Sequence, residues 1–152
     1  MGIHALPFWN QPIVNDKPLK TITLDESSPI GLHIRKRRLA LTLTQEVVAL
    51  KINVSTDCVT FWENGRSKPQ IQHMPKIIEF LGYNPVTYEN VTIGGRIKNY
   101  RITHGLSHKK LGLQLSVDAS TVGSWESNKF KPELDSLNRI EELLQNKDCL
   151  IS

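Results

Sequence analysis

Apolar residues recur at helical spacing in short stretches that polar residues and turns separate. Between positions 30 and 41, Ile30, Ile34 and Leu41 fall on one face of a helix whose other face is basic. A second stretch begins at Thr44, a residue that caps helix N-termini, and reaches about position 51. The pattern therefore predicts short α-helices.

A tight turn and a third helix follow directly. Asn53 tolerates the left-handed conformation of such a turn, and Ser55 is a suitable N-cap for the helix after it. Val59 and Trp62 form the apolar face of this third helix, which extends to about position 63. A basic loop and a closing helical stretch lead to position 81.

The chain contains an internal repeat with a period of 63 residues. Trp62-Glu63 and Trp125-Glu126 are the only Trp-Glu pairs, and the register between the copies holds without a gap from position 30 to 81. Further identical pairs are Ile30 with Ile93, Gly31 with Gly94, Ile34 with Ile97, Arg38 with Arg101, Leu43 with Leu106, Leu50 with Leu113, Val54 with Val117, Val59 with Val122, Lys68 with Lys131, Pro69 with Pro132, Ile77 with Ile140, Glu79 with Glu142 and Leu81 with Leu144. Two copies of one small module are the simplest explanation.

The second copy predicts the same helices. They cover 93–104, a stretch capped by Ser107 and ending at 115, a stretch capped by Asp118 and ending at 126, and 134–145. Ser116 occupies the turn position that Asn53 holds in the first copy.

These motifs resemble the lambda-repressor-like (Cro/CI, Xre) helix-turn-helix family. The first copy carries the resemblance in Leu43-Thr44-Gln45-Glu46, Val54-Ser55 and Trp62-Glu63-Asn64-Gly65, and the second in Leu106-Ser107, Val117-Asp118 and Trp125-Glu126. The resemblance implies an all-α chain with two tandem lambda-repressor-like five-helix domains preceded by an extended N-terminal arm. We expect the arm at 1–29, the first domain at 30–85, a linker at 86–92 and the second domain at 93–152.

The resemblance also implies a sequence-specific double-stranded DNA-binding protein and transcriptional regulator. The recognition helices of such a protein, at 55–63 and 118–126, would enter the major groove. The DNA-binding residues expected are Thr44, Gln45, Thr56, Asp57, Thr60, Phe61, Asn64, Arg66, Lys68, Ser107, His108, Ala119, Ser120, Ser124, Asn128, Lys129 and Lys131. Arg38 with Glu63, and Arg101 with Glu126, are expected to form structural salt bridges.

The outward positions of the recognition helices hold no Arg, Asn or Gln to read guanine or adenine. Asp57 has a purely structural alternative, because an acid in the first turn of a helix stabilises the helix dipole. We therefore expect modest direct base readout, with phosphate contacts positioning the protein.

Charge supports this picture only once it is divided along the chain. The net charge of the 152 residues is +4, but 30–85 carries +4 and 93–131 carries +5. Residues 1–29 carry −1, 86–92 carry −1 and 132–152 carry −3. The mild overall excess therefore comes from two basic blocks, one in each copy.

Several classes of function are not expected. There is no apolar run long enough to span a bilayer, no signal-peptide pattern, no catalytic constellation and no metal-ligand spacing. We expect no enzyme activity, no cofactor, no metal, no membrane partner, and a cytoplasmic location of bacterial or phage type. Three alternatives stay open: a homodimer, an adaptor in which only the first copy binds DNA and the second docks a protein, and a DNA-targeting accessory subunit of a mobile-element or defence system.

Overall fold

The computed structural model describes residues 22–25, 27–86 and 91–145, and it confirms the all-α class for this part of the chain. The helices of module one are α1 (Ile30–Ala40), α2 (Gln45–Ile52), α3 (Thr56–Glu63), a 3-10 helix (Ile71–His73) and α4 (Met74–Leu81). Those of module two are α5 (Ile93–Thr103), α6 (His108–Leu115), α7 (Ala119–Glu126) and α8 (Leu134–Gln145). Module one thus has five helical segments, and module two has four among its described residues.

The predicted arm and linker fall largely outside the described residues. Of the arm, 22–25 and 27–29 belong to no helix or strand, and the Asp25 carboxylate accepts hydrogen bonds from the Ser27 and Ser28 hydroxyls at 2.8 and 2.9 Å. Of the linker, 87–90 lie outside the description. The bounds of the four predicted segments therefore stay predictions.

Each module has a hydrophobic core built from apolar side chains of its α-helices, and the core of module one also takes in Ile102 of α5. Burying a Val, Leu or Ile side chain contributes about 1.5–3 kcal/mol, so a core of this size accounts for most of the stability of a small module. The core of module one contains Ile34, Val48, Ala49, Ile52, Val59, Trp62, Met74, Ile77 and Leu81. The core of module two contains Ile97, Leu111, Leu115, Val122, Trp125 and Ile140.

A glycine in the first turn of α1 lets that helix lie directly against the end of α3. A Cβ atom on Gly31 would lie 1.8 Å from the Trp62 carbonyl oxygen, so no larger residue fits. Gly94 has the same position against Trp125, where a Cβ atom would lie 2.2 Å from the carbonyl oxygen. The paired glycines of the repeat are thus close-packing positions.

The two modules pack against each other through α4 and α5. Ile102 of α5 is 9% exposed and belongs to the core of module one rather than to that of its own module. Gly105 has φ of 64° and lies so close to α4 that a Cβ atom on it would be 2.9 Å from the Pro75 ring. The Asn84 side-chain amide donates to Asn99 Oδ1 at 3.0 Å across the same interface.

One position on the first helix of each module shows how a buried side chain differs between the copies. In module one His33 is 6% exposed, its Nδ1 lies 2.8 Å from the Tyr83 hydroxyl, and its Nε2 has no hydrogen-bond partner among the described residues. In module two the equivalent residue is Arg96, which forms two hydrogen bonds with Glu141 at 2.7 and 3.0 Å. The repeat therefore preserves the helix register while replacing a buried imidazole with an ion pair.

Candidate nucleic-acid interface

The turn between α2 and α3 is built by two side-chain caps around one left-handed residue. Thr44 Oγ1 accepts from the Val47 amide at 3.3 Å, and Ser55 Oγ accepts from the Cys58 amide at 3.4 Å. Asn53, between them, has φ of 62° and ψ of 54°. The two caps begin α2 and α3 at defined residues, and the left-handed residue ends α2. Together they fix the angle between α2 and α3.

Module two forms the same turn with less side-chain support. Ser107 Oγ accepts from the Lys110 amide at 3.2 Å, and Ser116 has φ of 58°. Asp118 occupies the N-cap position of α7, but its side chain accepts no capping hydrogen bond from that helix. Asp118 therefore occupies the predicted N-cap position, but the prediction that its side chain caps the helix is wrong.

A buried ion pair holds α1 to the end of α3 in module one. Arg38 Nε and Nη2 donate to the two oxygens of Glu63, each at 2.7 Å, and the Glu63 side chain is 2% exposed. These hydrogen bonds raise the pKa of the Arg38 guanidinium above its ordinary value. In module two Arg101 Nε and Nη2 donate to Glu126 at 2.6 and 2.9 Å.

The first residue of the second helix joins this ion pair in both modules. Gln45 Nε2 donates to Glu63 Oε2 at 2.9 Å, and its Oε1 accepts from the Thr60 hydroxyl at 3.0 Å. In module two His108 Nε2 lies 3.1 Å from Glu126 Oε2. The Gln45 side chain therefore positions α2 against α3, a role that the sequence alone did not indicate.

The two predicted recognition helices are α3 and α7, and they expose different surfaces. On α3 the side chains of Thr56, Asp57 and Phe61 are exposed, and Phe61 is 42% exposed. Thr60 is half-buried and also bonds to the Thr56 carbonyl at 3.0 Å. Three of the four residues predicted to face DNA from α3 are therefore exposed. The fourth, Thr60, faces α2.

On α7 the predicted set is smaller and partly occupied by its own helix. Ser120 is exposed and Ala119 is half-buried. Ser124 donates to the Ser120 carbonyl at 2.9 Å, so its hydroxyl is committed to the helix backbone. A Cβ atom on Gly123 would meet none of the described residues within 4 Å, so this glycine leaves an open notch in the helix surface.

Basic loops follow both recognition helices. Residues Asn64, Arg66, Lys68, Asn128, Lys129 and Lys131 are all exposed. None of their cationic groups forms a salt bridge with a described residue, although Lys129 Nζ lies 5.6 Å from the centre of the Phe130 ring. Two groups of exposed cations are thus placed beside the ends of α3 and α7, where they can bind an anion.

Besides the predicted interface, the described residues include a free thiol and an apolar cavity. No group of three or more His, Cys, Asp or Glu side chains is gathered so that it could hold a metal ion, and Cys58 is a half-buried free thiol. None of the described helices combines the length and apolarity needed to cross a membrane. A cavity of about 440 Å³ lies beside α1 and Trp62, with a largely apolar wall that includes Pro69 and Val86.

Comparison with known families identifies the repeat independently. The helix-turn-helix family model HTH_3 matches residues 34–87 and 97–148, one match in each module. No curated protein and no solved structure shows significant similarity to the chain. Each match spans its module from the first helix through the recognition helix to the closing helix.

Proposed function

The chain belongs to the HTH_3 family of helix-turn-helix proteins, a DNA-binding family, and we propose that it is a transcriptional regulator that places α3 and α7 in the major groove of double-stranded DNA. The observation that carries the proposal is the exposed recognition-helix surface beside a loop of exposed cations, present in both modules. Phosphates flank the major groove on both sides, so cations on the following loop fix the depth and register of an inserted helix.

Base contacts come chiefly from module one. The Phe61 ring and the Thr56 methyl group offer apolar contact to thymine methyl groups, and the Asp57 carboxylate accepts from cytosine N4. Of its predicted set, module two fully exposes only Ser120, because Ala119 is half-buried and the Ser124 hydroxyl is bonded to its own helix. Module one therefore supplies sequence preference, and module two adds affinity through phosphates.

The packing of the modules determines how two half-sites are arranged. Module one uses α4 and module two uses α5 at their interface, so the same surface does not meet itself. Such a heterologous contact is not two-fold symmetric, whereas a palindromic operator requires a two-fold axis. A single chain accordingly sets its two modules on DNA at a fixed, non-palindromic separation, with base contacts chiefly from module one, and an inverted repeat requires a second chain.

The proposal is tested with the whole chain, because Ile102 of module two completes the core of module one. We expect the wild type to enrich a sequence from random duplexes and to bind it with a strong salt dependence. The plot of log K against log salt has a negative slope. Lys68→Ala and Lys131→Ala should each reduce the magnitude of this slope by about 0.9, since each removes one phosphate contact.

Lys76→Ala is the matched control, because Lys76 lies on α4 and is paired with Glu79 at 2.9 Å. Its salt slope should equal that of the wild type. Phe61→Ala should weaken the sequence preference of module one, since one of its three base contacts is lost, while non-specific binding persists. Absence of salt-dependent duplex binding by the wild type would refute the proposal.

A second candidate function is supported by two exposed apolar side chains of module two. Phe130 and Leu134 are 62% and 72% exposed, whereas the equivalent residues of module one are Ser67 and the half-buried Ile71. In an adaptor, Phe130 and Leu134 contact a partner protein and only module one binds DNA. A salt slope that falls with Lys68→Ala and stays unchanged with Lys131→Ala would favour the adaptor.

A further inference from the structure

The two modules place different side chains at one equivalent position of the interface. Gln45 and His108 each begin the second helix of their module, 63 residues apart, and each contacts the carboxylate of the buried ion pair. The distances are 2.9 Å from Gln45 Nε2 to Glu63 Oε2 and 3.1 Å from His108 Nε2 to Glu126 Oε2. The contact is thus preserved, but only one of the two side chains can change its charge.

The Glu126 contact determines which nitrogen of His108 carries the proton. Glu126 is 5% exposed and accepts two hydrogen bonds from Arg101, so it is an acceptor only. His108 Nε2 must therefore be the donor, and in the neutral ring Nδ1 is left with a lone pair. The ring is 44% exposed, and its Nδ1 has no partner among the residues described.

The charges around the ring leave its own charge uncompensated. From α7 it faces Glu126, and Arg101 of α5 already neutralises that carboxylate. Its own helix adds Lys109 and Lys110, both basic. Two further titratable side chains, Arg139 and His104, have hydrogen-bond partners of their own. Arg139 of α8 donates to the Leu115 carbonyl at the C-terminal end of α6, and His104 Nδ1 lies 2.7 Å from the Tyr100 carbonyl oxygen.

We propose that His108 forms a proton-dependent phosphate-binding site in module two, an inference that rests on the proposed DNA-binding function. The neutral ring presents the lone pair of Nδ1 to a phosphate and repels it. The protonated ring keeps Nε2–H on Glu126 and presents Nδ1–H and a positive charge to the phosphate. Gln45 keeps the same charge at every pH, so module one lacks this response.

The test measures duplex binding by the full chain at pH 6.0 and pH 8.0 and constant salt. We expect the wild type to bind about five- to tenfold more tightly at pH 6.0, with a salt slope larger by about 0.9 than at pH 8.0. His108→Gln should remove most of this pH dependence, leaving only the share of the remaining histidines. Gln45→His should introduce a second pH-dependent contact and increase the ratio.

The matched control for folding is built into the repeat. His108→Gln installs the side chain that already contacts the equivalent carboxylate in module one, so its thermal unfolding should match that of the wild type. Nitrogen-15 NMR of the free protein at pH 8.0 provides a readout independent of DNA, and it should show the neutral His108 ring protonated at Nε2.

The outcomes separate this inference from the function on which it rests. Duplex binding whose pH dependence is the same in the wild type and in His108→Gln would overturn the inference and leave the proposed function intact. A neutral ring protonated at Nδ1 would overturn it as well. Failure of the wild type to bind duplex DNA at either pH would overturn both.

Discussion

Removing the Arg38 guanidinium isolates a carboxylate that has almost no access to water. The Glu63 side chain is 2% exposed, and Arg38 supplies two of its hydrogen bonds, each at 2.7 Å. In Arg38→Ala the Gln45 amide, at 2.9 Å, is the one described side chain that still donates to Glu63. The Leu43 carbonyl also loses a donor, because Arg38 Nη1 bonds to it at 3.2 Å.

Removing one partner of a buried ion pair typically costs about 3–5 kcal/mol, and the loss of a donor to the Leu43 carbonyl adds to this cost. A loss of this size is a large share of the roughly 5–15 kcal/mol that stabilises a domain. Replacing both partners with apolar residues of similar volume is often neutral or stabilising. Arg38→Met combined with Glu63→Leu should therefore recover most of the stability that Arg38→Ala loses.

Urea denaturation of the full chain, followed by far-ultraviolet circular dichroism, measures these free energies. A duplex-binding measurement at low temperature on the same variants separates folding from contact. Because Arg38 is assigned a structural role, the double variant should regain DNA binding together with stability. The reasoning would be refuted if Arg38→Ala cost less than about 1 kcal/mol, or if the double variant were stable but unable to bind.

Three further predictions concern the backbone and the surface. Thr42 has φ of 52° where the equivalent Gly105 has 64°, so Thr42→Gly should raise the free energy of unfolding by about 0.5–1 kcal/mol, and an unchanged urea midpoint would contradict this. Gly31→Ala should unfold module one, because its Cβ atom would overlap the Trp62 carbonyl oxygen, whereas Gly123→Ala should be tolerated; circular dichroism of the two variants tests the contrast. Hydrogen bonding to Arg96 lowers the pKa of Glu141 below its ordinary value of 4.5, so the pair stabilises the protein above that pH and the contribution is lost as pH falls through the lowered pKa. Glu141→Gln should then cost about 0.5 kcal/mol at neutral pH, a small value because the pair is about one-third exposed, and the unfolding curves of variant and wild type should converge in acid.

The features that the sequence predicted depend on neighbours along the chain. Helix periodicity, the Thr44 and Ser55 caps and the left-handed turn at Asn53 are local, and the repeat supplied most of them a second time. The contacts that it did not predict join residues far apart, as when Ile102 enters the core of module one or Gln45 reaches Glu63. Hydrophobic periodicity shows that a residue is buried, but it does not identify the residues that bury it. For the same reason His108 was predicted at the interface without its bond to Glu126.

The contact between the modules also depends on a glycine that module one lacks at the equivalent position. At the observed interface Gly105 allows Pro75 to approach, since even a Cβ atom there would lie 2.9 Å from the proline ring. The position equivalent to Gly105 in module one is Thr42, and the position equivalent to Pro75 in module two is Asn138. A heterologous contact repeated between chains would build an open filament, and the equivalent packing would place Thr42 beside Asn138 where the observed interface places Gly105 beside Pro75. Because a palindromic operator requires a two-fold contact and the α4–α5 contact is heterologous, we expect a second chain to use a surface other than the one that joins the two modules.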